Sequence, residues 1–561
     1  MPARVLIVGL DGATLDLIEP WAAAGDLPNL ARLMRAGAWG RLRSTNPPAT
    51  FPAWTSLMTG VNPGKHGIYD FTRRVEGTYR VEFLNATYRQ QPSAWQHLSQ
   101  AGKRVAVIGL PATYPPEPLN GLCISGFDSP VTTSIDRSFI HPPELYEELL
   151  QAVGPYEITG FQELHIGSGW HEAAFEKLLQ TAQRRTEIAA HLLDREPWDC
   201  FFVHYGESDT VTHHFWAAHD PDSPRYDQAL AANLGHAIHS VYRALDRAVG
   251  ELVARAGNGT SVMIVSDHGS GGTGRQLVYL NRWLNQHGWL RFARSTPLDQ
   301  IAAPLKRLGL ALPARLQEWA FRGPLRRAAD RLESSSRLGR IDWAATAAFS
   351  EEVNTFPAIW LNVQGRDPSG TVSPGAAYES LRDEILARLA AWRSPATREP
   401  VVARAWRREE LYEGPAVDSA PDIVLELALD RGYAYTCLSS KGQAGEALGR
   451  LAPSQGLGAK GSSMNGSHRP YGVIILAGRD IAPGAHPVNP QIVDLAPSLF
   501  ELLGVKPPAG LDGRVLTESL AAGSQGDSDG VLAESAPPPR SYSEEQAEVI
   551  RARLRGLGYQ A

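Results

Sequence analysis

The chain of 561 residues is too long for one ordinary domain, and it is expected to form one large catalytic domain with insertions. A hydrophobic content of 43% against 20% charged residues excludes an intrinsically disordered chain, and no run reaches the roughly 18 apolar residues of a membrane span. The net charge of -6 offers no basic footprint for nucleic acid or anionic lipid, and three scattered cysteines, Cys123, Cys200 and Cys437, make neither a disulfide framework nor a thiolate zinc site.

The first apolar run, "RVLIVGLD", ends at Asp11. It is one strand long and lacks the small-residue pattern of a cleaved leader, so it reads as the opening strand of a cytoplasmic protein. A helical period follows from Leu27 to Ala36. Next comes "NPPATFPAWTSLMTGVNPGKHGIYDF", from Asn46 to Phe71, in which prolines precede Thr50. That pattern sets a hydroxyl in a rigid turn ahead of a helix, where free N–H groups and the helix dipole favour a phosphoryl group. The competing reading makes Thr50 or Thr55 a plain helix cap.

Strands are predicted again at "KRVAVIGLP" to Pro111 and, after a helical stretch from Phe175 to Leu193, at "WDCFFVHYGESD" to Asp209. The spacing Asp209-x-x-x-His213 lets a carboxylate and an imidazole reach one ion, although neighbouring His204, His214 and His219 make chance matches easy. A long helix is predicted from Leu230 to Ala256, then "TSVMIVSDHG", which places Asp267 and His268 at a strand end. Residues 296–340 are basic and helical in period, and read as an inserted cap. Further strands fall at "DIVLELAL" to Leu429 and "YGVIILAG" to Gly478, the latter preceded by His468 in a Gly- and Ser-rich loop. Residues 521–540 read as a linker and 541–561 as a terminal helix capped by Ser543.

Alternating strands and helices imply an α/β/α sandwich with a mostly parallel central sheet, divided by the cap into catalytic parts 1–295 and 341–520. Ligands of such folds sit beyond the carboxyl ends of the strands. Asp11, Asp209 and Asp267 each follow a predicted strand, so three acids are expected on one rim.

With Thr50, His213, His268 and His468, these acids stand in an order that resembles the alkaline phosphatase superfamily. "TFPAWTSLMTGVNPGKHGI" is similar to the nucleophile segment of type I phosphodiesterases and nucleotide pyrophosphatases. "HGIYDF", "SDHG", "LNRWL", "LNVQGRDPSGTV" and "LDGRVL" resemble its bacterial branch of predicted phosphohydrolases and phosphomutases. The likeness covers roughly residues 4–130, 198–290 and 341–516. It implies an alkaline-phosphatase-like fold and two divalent ions, zinc foremost, with manganese and iron also suited to such donors. One ion would be held by Asp209, His213 and His468, the other by Asp11, Asp267, His268 and the Thr50 oxygen.

The resemblance further implies that Thr50 attacks phosphorus to give a phospho-threonine, which water then hydrolyses with net retention. Two cations about 4 Å apart can clamp the attacking and leaving oxygens of such displacements. Nucleotide pyrophosphatases carry a phosphoryl-binding Asn where this chain has Phe71, so Thr72, Arg73 or Arg74 is a candidate replacement donor. Trp216, His219 and Arg275 are candidate lining residues. The expected substrate is a small phosphodiester or phosphoanhydride, nucleotide-like in kind. A phosphomonoesterase or phosphomutase is the alternative, and a non-catalytic metal-binding interaction module the second.

Overall fold

In the computed structural model, which describes residues 3–126, 136–157, 166–293, 340–455 and 463–521 with Glu163, Leu338 and Gly458, the Ala3–Leu10 strand lies inside an eight-stranded sheet. Trp198–Tyr205 and Ser261–Val265 flank it, both parallel to it. Val105–Ile108 and Gly121–Ile124 continue the parallel run on the Trp198–Tyr205 side. On the other side Tyr471–Gly478 enters antiparallel between Ser261–Val265 and the edge strand Ala38–Arg43. The short strand Ile140–His141, also antiparallel, closes the opposite edge.

Successive side chains of Ala3–Leu10 feed two different cores, which is why the strand reads as unbroken apolar sequence. Leu6, Val8 and Leu10 join the core beneath the helices Trp170–Arg195 and Ala237–Ala256. Val5 and Ile7 join the one beneath Thr50–Thr59 and Leu495–Leu503. Each fully buried Val, Leu or Ile stabilises by about 1.5–3 kcal/mol, so the sheet is fixed from both faces. The expected layered α/β architecture with a mostly parallel sheet is what the chain forms.

The long helix expected from Leu230 to Ala256 is two helices, Gln228–Leu234 and Ala237–Ala256. The run "DIVLELAL" departs further from expectation. Its strand, Ile423–Leu427, belongs to a separate antiparallel sheet with Ala348–Phe349, Ala358–Leu361 and Val402–Arg407. Ile423 and Leu425 face one core and Val424 another, so the apolar run reported two covered faces and said nothing of strand direction.

This second lobe is reached through Gly269–Val278, which leaves the end of Ser261–Val265 and pairs with Tyr433–Cys437 and Gly466–Arg469. The expected cap, linker and terminal helix lie outside the described residues, apart from Leu338, Arg340 and Ala521. Among the described residues no helix is long and apolar enough to cross a membrane.

Candidate active site

Asp11 is the first residue beyond Ala3–Leu10, and its backbone N–H is held 2.9 Å from the Tyr205 carbonyl of the adjacent strand. Gly12 follows at φ 62°, a left-handed turn in which an added Cβ would lie 2.7 Å from Asp209 Oδ1. Its N–H donates to Asp267 Oδ1 at 3.2 Å, bringing a second strand end to the same place.

Asp209 does not end a strand as expected. The strand stops at Tyr205, and Asp209 lies in the first turn of the helix Glu207–His219. Glu207 and Asp209 favour that start through the helix dipole, and Ser208 Oγ fastens it by donating to the Asp11 carbonyl at 2.6 Å. Four residues on, His213 shares the helix face with Asp209, so its Nε2 lies 3.2 Å from Asp209 Oδ1.

Thr50 is the first residue of the helix Thr50–Thr59, with its Oγ1 3.5 Å from His268 Nε2. The loop before it is held from the far end of the chain, where His468 Nδ1 lies 2.8 Å from the Pro48 carbonyl. His213 Nδ1 is likewise 2.9 Å from the Gly466 carbonyl, and His268 Nδ1 3.0 Å from that of Gly269. A carbonyl only accepts, so each Nδ1 carries the proton and each Nε2 presents a lone pair.

Those lone pairs point inward. His213 Nε2 and His468 Nε2 are 3.1 Å apart, and the His268 ring stacks on His468 with centroids 3.7 Å apart. Facing them are Asp11 Oδ1, Asp209 Oδ1 and Asp267 Oδ2, buried oxygens with no hydrogen-bond donor among the described residues. Burial and the neighbouring Asp11 push the Asp267 carboxyl well above the usual carboxylate range. Burial and His268 push His468 well down.

Buried carboxylates facing imidazole lone pairs are what a cation reconciles and what a neutral core does not. The donor atoms of Asp209, His268 and His468 all lie within 4.8 Å of one another, as do those of Asp11, Asp267 and His268. The donor set therefore fits divalent cations, with His268 common to both groups.

Over residues 5–450 the sequence matches the family of type I phosphodiesterases / nucleotide pyrophosphatases. The chain belongs to this family. Its chemistry is the hydrolysis of phosphoric esters, and the chain is an enzyme of that class. Among solved structures the fold is similar to phosphonoacetate hydrolase from Sinorhizobium meliloti 1021 in complex with phosphonoformate, with a TM-score of 0.51, 18% identity, 88% of this chain covered and 94% of that one. Human ectonucleotide pyrophosphatase / phosphodiesterase 5 is also similar, with a TM-score of 0.47, 14% identity, 92% of this chain covered and 100% of that one. No curated protein matches the sequence.

The structure thus gathers Asp11, Thr50, Asp209, His213, Asp267, His268 and His468 of this phosphodiesterase-family chain, and the remaining candidates have partners of their own. Arg73 pairs across a hairpin with Glu82 and stacks over Tyr88. Arg74 is closed against Asp367 and the Trp360 ring in the second lobe. Trp216 Nε1 donates to Asp220 and Arg275 Nε to the Pro224 carbonyl, while His219 packs edge-on to Trp21. Phe71 packs on Phe51, the residue after Thr50.

Two residues at the site were not anticipated. His204 Nε2 and Trp54 Nε1 both donate to Asp11 Oδ2, at 2.9 and 3.0 Å. The signal for His204 was a histidine directly after the apolar run "CFFV" of a predicted strand. Trp54 gave none, because an aromatic one turn into a helix reads as core.

Proposed function

We propose that the chain cleaves a small phosphodiester or phosphoanhydride with Thr50 as nucleophile and two divalent cations as cofactors. Asp209, His213 and His468 would hold one cation, and Asp11, Asp267 and His268, with the Thr50 oxygen, the other. Zinc suits this mixture of imidazole and carboxylate donors best. Bound there, the cations would offset the buried negative charge, acidify the attacking hydroxyl and compensate the charge on the leaving oxygen.

The protein's own groups do the remainder. Thr50 Oγ1 gives up its proton to solvent and forms a bond to phosphorus as the bond to the leaving oxygen breaks, and the N-terminus of its helix favours the anionic phosphoryl group. Water then bonds to phosphorus from the opposite side and the Thr50 Oγ1–P bond breaks, restoring the hydroxyl. Two inversions retain configuration. One observation carries this reading: three buried carboxylate oxygens, without a donor among the described residues, converge on three imidazole nitrogens beside a hydroxyl at a helix start.

Phe71 beside Phe51 supports a rival reading, since a phosphodiesterase lacking an amide there is open to monoester preference. Turnover of bis(p-nitrophenyl) phosphate against p-nitrophenyl phosphate by zinc-loaded protein separates the two. The expected ratio exceeds one, and a ratio well below one overturns the diester preference. Thr50→Ala is expected to lower turnover by about 10³-fold or more while zinc uptake persists. Acid quenching should trap phosphate on Thr50, seen by mass spectrometry.

A further inference from the structure

We propose that His204 and Trp54 are positioning residues that restrict Asp11 to a single cation-facing oxygen and thereby tune one of the two cation sites selectively. The inference rests on the two-cation reading above and deepens it. Both N–H donors end on the same atom, Asp11 Oδ2, while Oδ1, without a donor among the described residues, turns toward His268 Nε2 at 3.5 Å. A carboxylate fixed in this way offers one oxygen in one orientation, which is how groups behind a ligand set affinity and geometry.

The surroundings are built around this pair. His204 is held opposite Gly9 in the strand pairing, two residues before Asp11. The Trp54 ring meets His204 edge-on, with centroids 5.0 Å apart and planes at 88°. Gly9 keeps the space open, because a Cβ there would come 2.8 Å from Trp54 Cη2. Trp54 also lies one turn beyond Thr50 on the same helix, so its N–H bond ties the nucleophile's helix to the carboxylate. Among the described residues Asp11 belongs to one donor group, with Asp267 and His268, so the effect should fall on that site alone.

The test is calorimetric titration of zinc into chelator-stripped full-length protein, comparing wild type with Trp54→Phe, His204→Leu and His204→Gln. Phe keeps the ring without the N–H, and Gln keeps a donor without the imidazole. Trp54→Phe and His204→Leu are each expected to weaken one of two binding steps by about 10- to 100-fold and to leave the other nearly unchanged, with His204→Gln regaining most of the loss. Thermal unfolding of the metal-free proteins identifies any variant that fails to fold. Should His204→Leu fail, Trp54→Phe and His204→Gln decide. Wild type with two steps, and variants that change both equally or neither, would overturn this inference alone. Wild type that takes up no zinc, or a single ion, would overturn the two-cation reading and this inference with it.

Discussion

Gly12 shows how tightly single residues constrain the site. A left-handed backbone costs a residue with a Cβ about 1–2 kcal/mol, and here the Cβ would also press on Asp209 Oδ1 and Ser270 Oγ. Gly12→Ala is therefore expected to lower both the thermal midpoint and zinc affinity, measured by calorimetry and chelator competition. His66 makes a different prediction. Burial and Arg89 push its pKa down to about 3, and its Nδ1 accepts the Ile68 N–H while Nε2 lies 2.9 Å from Ser56 Oγ. In the unfolded chain His66 titrates near pH 6.5, so between there and about pH 3 the unfolded state binds the extra proton and stability falls as pH falls. In urea unfolding at pH 7 and pH 4.5, wild type should lose more stability between the two than His66→Asn. Equal losses would show that His66 takes up its proton in the folded state as it does in the unfolded one.

At the scale of the element, the helix Glu207–His219 carries Asp209 and His213 and is anchored by one buried ion pair. Arg185, from the helix Trp170–Arg195, reaches Glu207 at 3.3 Å and donates to the Tyr156 hydroxyl at 2.6 Å. Leaving one buried charge without its partner costs about 3–5 kcal/mol. Glu207→Gln should lose that much in urea unfolding and bind zinc more weakly, whereas Arg185→Met with Glu207→Leu should recover most of the stability. Short-range chemistry raised some of the gathered residues as candidates, through a hydroxyl after prolines, a carboxylate four residues before a histidine and an Asp-His pair at a strand end, and the family resemblance joined them with Asp11 and His468 into one set. The sequence was less clear about geometry that depends on tertiary partners. The helix start at Glu207 is fastened by the remote Asp11 carbonyl, and Ile423–Leu427 is antiparallel because of the strands beside it. His204 and Trp54 were hidden for the same reason, since what distinguishes them is a carboxylate that lies far away in sequence.

At the scale of the molecule, the second lobe grips the segment that carries Thr50. Tyr412 donates to the Asn46 carbonyl at 2.7 Å, Tyr69 to the Ala416 carbonyl at 2.8 Å and Asn62 Nδ2 to the Glu413 carbonyl at 2.9 Å, while Tyr79 stacks on Trp343. Tyr412→Phe removes one such tie, worth about 1 kcal/mol, and should lower kcat more than it raises KM in steady-state assays. The strand Tyr471–Gly478 has a consequence for how the protein is made. Because it is wedged between Ser261–Val265 and Ala38–Arg43, a growing polypeptide that has not yet released these late residues from the ribosome carries an open sheet edge and a flanking strand with nothing to pair with. Synthesis of almost the whole catalytic body must precede closure of its sheet, so nascent chains halted before Tyr471 should be protease-sensitive and bound by chaperones.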